Sequence, residues 1–305
     1  MGAYNRTGKI RKMFFRNIGI QKSRQSGWFE IWAAILHNGK ALIGLSILMV
    51  FTAIAVLAPY IAPYDPFALV GPPYQPPSLK HILGTDNLGR DVLSQVIWGT
   101  RVSLFVGATV ALAVTLIGVT VGLIAATSHR LIDEVLMRFC DVLIIIPKLP
   151  LTIFTAAVLG RGIFNIIIVL SAFGWPTMAR IVRSEVLSVK QRAYVDAARM
   201  AGASQLRITF SIILPNVLPL VMANAILTII SGIMSEASLS FLGLGDPSQM
   251  SWGTVIYFAN MGGAVYNGGW AWVTTPGLCI ALVGMGVHLL GSAINIIANP
   301  RVRRY

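Results

Sequence analysis

The sequence predicts an all-α membrane protein with six transmembrane helices and both termini on the cytoplasmic side. Three observations carry this. Mean hydropathy is +0.73 over 305 residues, of which 55% are hydrophobic and 11% charged, a balance outside that of soluble domains. Six apolar stretches of roughly membrane-crossing length lie at 41–62, 102–127, 139–159, 162–182, 216–238 and 273–298. As helices they satisfy their own backbone groups, as lipid requires. With the N-terminus inside, the inner segments hold 19 of the 24 Lys and Arg residues. The outer segments hold Lys80, Arg90, Arg101 and Arg161, and Lys148 falls within a span. The net charge of +13 is thus a positive-inside topology signal, and no nucleic-acid partner is inferred from it.

The elements follow in order. Residues 1–40 form a basic cytoplasmic tail facing anionic lipid headgroups. Within it, "WFEIWAAILHNGK" puts Trp28, Trp32, Ile35 and Leu36 on one helical face, the pattern of an interfacial helix; a plain cytoplasmic extension of the first span is the alternative. The first apolar stretch begins too late and runs too long for a cleaved signal peptide. An outer connection, 63–101, follows. Six prolines between Pro63 and Pro77 exclude a long helix from its first half, and a short surface helix is expected near 90–99. The inner connection 183–215 holds "AYVDAARMAGASQLR", an alanine-rich helix former closed by Gly202. A second short helix is expected next, with Pro215 and Pro219 opening the fifth span. A second outer connection, 243–272, is rich in Gly, Asn, Ser and Trp and lacks Lys and Arg. Residues 41–299 therefore read as one transmembrane domain, and 300–305 as a cytoplasmic tail.

Several chemistries lack their motifs. There is no phosphate-binding G-x-x-x-x-G-K-[ST], no H-E-x-x-H, no G-x-S-x-G and no C-x-x-C. Cys140 and Cys279 sit in or beside separate apolar stretches and read as buried small hydrophobes, and the four histidines are scattered. No catalytic residue, metal or cofactor is implied. Energy for uphill transport must come from an ion gradient or from a partner.

The stretch "YVDAARMAGAS…ILPN" resembles the cytoplasmic loop signature of permease subunits from binding-protein-dependent ABC importers. Asp196, Ala197, Ala198, Gly202, Ile212 and Pro215 match it, with aspartate where glutamate is usual. Two more stretches, "HILGTDNLGRDVLSQVIWGTRVSL" and "EASLSFLGLGDPSQMSWG", are similar to the oligopeptide/dipeptide/nickel branch and its C-type permease. The resemblance implies a type I importer permease fold and a prokaryotic inner-membrane location. It also implies a sister permease, two cytoplasmic ATPase subunits and an extracytoplasmic substrate-binding protein as partners. On this chain Tyr194, Asp196, Ala197, Ala198, Arg199, Gly202 and Ala203 would belong to the coupling helix that seats in an ATPase cleft. Ala197, Ala198, Ala201 and Gly202 permit close approach there, and Asp196, Arg192 and Arg199 offer charge-assisted contacts at the rim. The tail departs from the family: Ser292, Asn295, Ile296 and Asn299 stand where charged residues are usual, so that surface is not carried over.

Two polar residues within spans are candidates for the translocation path, because lipid penalises them. Lys148, between Pro147 and Pro150, either faces an aqueous path and a substrate carboxylate or is a snorkelling or paired structural lysine. Glu236, in the third matching stretch, reads as a partner of the outer loop or as a path residue. The substrate expectation is a di- or oligopeptide, with nickel complexes and oligosaccharides as alternatives within the same branch. A gradient-driven secondary transporter is the competing class; it would require an internal repeat and midplane ionisable residues, of which only Lys148 is present.

Overall fold

The computed structural model describes residues 38–298, with side chains through Ile294. The proposed interfacial helix, the basic tail and the residues after Ala298 lie outside the described residues. Nine helices are described: α1 Gly39–Ile61, α2 Val92–Thr127, α3 Arg130–Ile145, α4 Lys148–Leu159, α5 Ile163–Lys190, α6 Ala193–Met200, α7 Gln205–Leu244, α8 Trp252–Met261 and α9 Trp270–Ala298. Only isolated bridges, Leu69 with Arg90 and Thr85 with Asp91, add β-type pairing among the described residues.

Five of these helices (α1, α2, α5, α7, α9) are long and apolar enough to cross a membrane, and α3 with α4 form a sixth crossing if the bent pair counts as one. The expected third span, 139–159, is therefore corrected to two helices meeting at 88°. Proline explains the break. Pro147 offers no N–H and pushes Ile146 out of helical geometry, to φ −66° and ψ 127°. The first limb begins earlier than expected because α3 is amphipathic, with Asp133, Glu134, Arg138 and Asp141 among its apolar residues.

Three other boundaries differ. The expected surface helix at 90–99 is the first part of α2, a single helix of 36 residues. Asp91 starts it by accepting from the Ser94 N–H at 2.8 Å, and no proline interrupts it afterwards. The expected short helix before the fifth span runs into that span as α7. A π turn at Thr209–Ile213 precedes Pro215, and the extra residue in the turn accommodates a ring that an α turn would crowd. In the second outer connection, Ser251 and Thr254 form a capping box that starts α8.

Helix α2 is central and packs on α5, α7 and α1, while α9 lies against α1 and α7. Close approach is built in: Gly107 of α2 faces Gly232 of α7, and a Cβ on Gly107 would lie 2.5 Å from Ile233 Cγ1. At one end of the bundle, α8 and residues 62–91 form a polar cap. Asp86 accepts from Arg90 Nε at 2.5 Å and Gln95 Nε2 at 2.7 Å, and Asp91 pairs with His81 Nδ1 at 2.9 Å. All of these are buried. Arg90 lies over the Phe258 ring, and the Tyr74 hydroxyl donates to the Gly262 carbonyl, which joins this cap to α8. Trp252 is buried beneath it, its backbone N–H donating to Ser103 Oγ at 3.0 Å and its indole N–H to Val96 O at 3.3 Å. At the opposite end lies α6.

Candidate functional site

Helix α6 is short and polar, yet it is anchored. Val195 is 0% exposed and packs in one core with Val189 of α5 and with Ile208 and Ile213 of α7. The helix ends in a Schellman motif: the Gly202 N–H donates to Arg199 O at 2.9 Å and the Ala203 N–H to Ala198 O at 3.1 Å. Gly202 has φ +80°, the left-handed conformation this motif needs. Its outer face presents Tyr194, Ala197, Ala201 and Gly202, with Arg199 Nη1 donating to Asp196 Oδ1 at 3.1 Å.

The predicted residues divide between the two sides of the helix. Ala198 and Ala203 are half-buried against the core, whereas Tyr194, Asp196, Ala197, Arg199 and Gly202 are exposed. Two neighbours that sequence reasoning did not single out share this surface: Met200 is 85% exposed and Leu206 72%. Their signal was available, because large apolar residues in a polar connection between spans are out of place unless something covers them.

Ion pairs and a carbonyl contact brace the same end. Arg183 of α5 grips Asp133 of α3 through two bonds of 2.5 and 2.6 Å, and Arg180 meets Asp141 at 3.2 Å. Lys190 Nζ donates at 2.6 Å to Ala126 O, one of the last carbonyls of α2, where a cation also suits the helix dipole.

Lys148 is the first residue of α4, at the bend. That helix has twelve residues, about 18 Å at 1.5 Å per residue, so Lys148 lies beyond the midpoint of a core about 30 Å thick if α4 stands along the normal. A lysine there costs about 2.5–3.5 kcal/mol against lipid, and here it faces a cavity instead. That cavity, of about 240 Å³, is walled by Val110 and Val114 of α2, by α5 around Gly174 and Thr177, and by Asn224, Thr228, Ser231 and Ser235 of α7. A second cavity, of about 230 Å³, shares Lys148, Ser231 and Ser235 and reaches Ser238. The polar residues of α7 repeat at intervals of four and three, which sets them on one helical face. This seam was not foreseen, since hydropathy averages hide it.

Glu236 lies on α7 but lines neither of these cavities. It is 2% exposed, and its Oε1 accepts from Ser240 and Ser251 hydroxyls, both at 2.6 Å. Through Ser251 it holds the first residue of the α8 capping box, so its contacts are with the segment that leads into α8. Cys140 and Cys279 are free and belong to separate apolar clusters.

A bundle of membrane-length helices, a short helix with an exposed face at one end and a polar seam between spans are the features of a multi-pass membrane permease. The family described as binding-protein-dependent transport system inner membrane component matches residues 118–304, and the N-terminal transmembrane domain of oligopeptide transport permease C matches 26–77. The di/tripeptide transport system permease protein of Pseudomonas aeruginosa is 34% identical over 282 residues, 90% of this chain and 92% of that protein. The oligopeptide transport system permease protein of Bacillus subtilis is 35% identical over 289 residues, 93% of each. Among solved structures, a chain of the inward-facing MetNI methionine ABC transporter aligns with a TM-score of 0.55 over 67% of this chain and 94% of that chain. At 21% identity it shows the fold alone. The chain belongs to the binding-protein-dependent inner membrane component family and is a permease subunit of an ABC importer.

Proposed function

We propose that this subunit forms half of a translocation path for peptides in a prokaryotic inner membrane, opposite a sister permease, with α6 docked on one of two cytoplasmic ATPases. A binding protein delivers substrate to the end bearing α8. The reading on substrate is supported by the relatives, named for di/tripeptide and oligopeptide transport. The orientation is supported by Arg180, Arg183, Lys190, Arg192, Arg199 and Arg207, which cluster at the α6 end and make it the cytoplasmic one.

One observation carries the coupling role. Helix α6 is fastened to α5 and α7 by Val195 while its opposite face is exposed and rich in small and apolar residues. A surface of that kind transmits force only if a partner seats on it, and hydrolysis of ATP then belongs to that partner. When the ATPases close, α6 carries the motion into α5 and α7 as a rigid body. Glu236 positions the outer segment, and Lys148 faces the path.

Ala197→Arg tests this. The residue is exposed, so the variant inserts normally, and ATP-driven uptake falls about tenfold or more because an arginine cannot enter a packed interface centre. Undiminished uptake in a fully inserted variant overturns the assignment. Ala198→Arg is a weaker probe, because its half-buried position makes it report on folding as well.

A further inference from the structure

We propose that Lys148 with Ser231 and Ser235 forms a carboxylate-recognition point in the path, so that this half of the importer conducts its solute by an anionic end. The proposal rests on the import reading above and adds to it the chemical group that is recognised. Lys148 is the one charged residue lining either cavity. It has no hydrogen-bond or ion-pair partner among the described residues, whereas Arg180 and Arg183 of α5 hold carboxylates and Lys190 holds a carbonyl. Asp133 and Asp141 are held by those arginines, Glu134 by Arg138 and Glu236 by two serines, and Glu185 of α5, which has no partner among the described residues, lines neither cavity. A positive charge therefore stands uncompensated beside a space for solute.

The hydroxyls sort by what they can offer. Ser231 and Ser235, which share both cavities with Lys148, make no hydrogen bond among the described residues and are free to donate to a carboxylate. Thr228 and Ser238 already donate to Asn224 O and Met234 O, each at 2.8 Å, so their oxygens remain acceptors. Asn224 likewise spends an amide hydrogen on Leu220 O at 2.9 Å and keeps its carbonyl oxygen. The order along α7 is acceptor, donor pair with cation, acceptor, over about 21 Å from Asn224 to Ser238. The cation and donor pair complement a carboxylate, and the acceptors on one side of them suit the N–H groups that precede a peptide's C-terminal carboxylate.

The test uses the whole importer in proteoliposomes with saturating receptor, and compares uptake of alanyl-phenylalanine with that of its C-terminal amide. Lys148→Gln lowers uptake of the free acid about tenfold while changing the amide less than about twofold, and Lys148→Arg restores most of the loss. An equal loss for both peptides identifies a structural lysine paired with the sister permease, and no loss for either removes Lys148 from the path; each result overturns the proposal. A second readout needs no peptide. On a background lacking Cys140 and Cys279, the Met234→Cys variant reacts faster with an anionic than with a cationic methanethiosulfonate, and Lys148→Gln removes that bias. If the unsubstituted importer moves neither peptide, the peptide reading fails by itself, and the reagent ratio then decides the carboxylate site: a Lys148-dependent anionic bias upholds it and its absence overturns it.

Discussion

Substitutions at Gly202 separate what the backbone needs from what a partner needs. At φ +80° an alanine carries left-handed strain of about 1–2 kcal/mol, whereas asparagine tolerates that conformation better. Strain of that size shifts the closed form of the motif, with its bonds to Arg199 O and Ala198 O, by about 5–30-fold. A Cβ at this position meets nothing within 4 Å, so within the subunit leucine costs no more than alanine. Insertion and thermal unfolding in detergent are therefore nearly the same for the two variants. Docking is different, because the larger side chain projects into whatever seats on α6. Affinity of the detergent-solubilised permease pair for its ATPases is the assay. Asparagine weakens it least, alanine about 5–30-fold if docking needs the closed motif, and leucine abolishes it. If leucine and alanine bind alike, Gly202 does not lie under the partner. If alanine binds like glycine, the Schellman geometry is not part of docking, and the coupling argument fails at that point.

Two further predictions concern the scaffold. Gly107→Leu drives its Cβ to 2.5 Å from Ile233 Cγ1 and 3.0 Å from Ile229 O, and overpacking of about 1–3 kcal/mol or more lowers the melting temperature in detergent; Gly277→Ala, with open space around it in α9, leaves the melt unchanged or raises it slightly. Asp133→Asn removes the charge that Arg183 grips and costs about 1–2 kcal/mol, a loss that shrinks at high salt because the pair is partly exposed, and the double exchange Asp133→Arg with Arg183→Asp recovers stability in the same unfolding assay.

The positions of five crossings were legible because apolar runs of membrane length have one structural outcome in lipid. Helix ends were less so, since hydropathy marks where lipid begins and capping marks where a helix begins. At α2 these disagree by ten residues: Asp91 starts the helix while the apolar run opens near residue 102. The bent pair hid for a related reason. Residues 130–138 carry too many charges for an apolar search, and a helical-face reading there would have found the stripe of Leu131, Val135, Phe139 and Val142. Helix α6 was visible as a polar, alanine-rich insert ending in glycine, but which of its alanines faces outward depends on Val195 being the anchor. The partnership of Asp86 with Arg90 and Gln95, and of Glu236 with Ser251, joins residues through tertiary folding and left no trace in local pattern.

The two candidate regions are mechanically linked through α5 and α7. Both helices wall the Lys148 cavity, and α6 lies between them in the chain and packs on both through Val195. A displacement of α6 therefore reaches two walls of the cavity without an intervening loop other than the short turns at each end of α6. Lys148 itself stands on α4, across the break at Ile146 and Pro147. Helix α4 packs directly on α5 and on the end of α7, and it is also tied to α5 through α3, which Arg183 and Arg180 fasten there. Cation and hydroxyl seam thus stand on different helices, and the helix bearing the cation begins at a proline-broken corner that can bend without opening either limb. On the proposed reading, ATPase closure changes the separation between Lys148 and the serines of α7, and with it the strength of the carboxylate site. A permease that must bind in one state and release in another needs that change, and a lysine fixed on the same helix as Ser231 and Ser235 could not provide it.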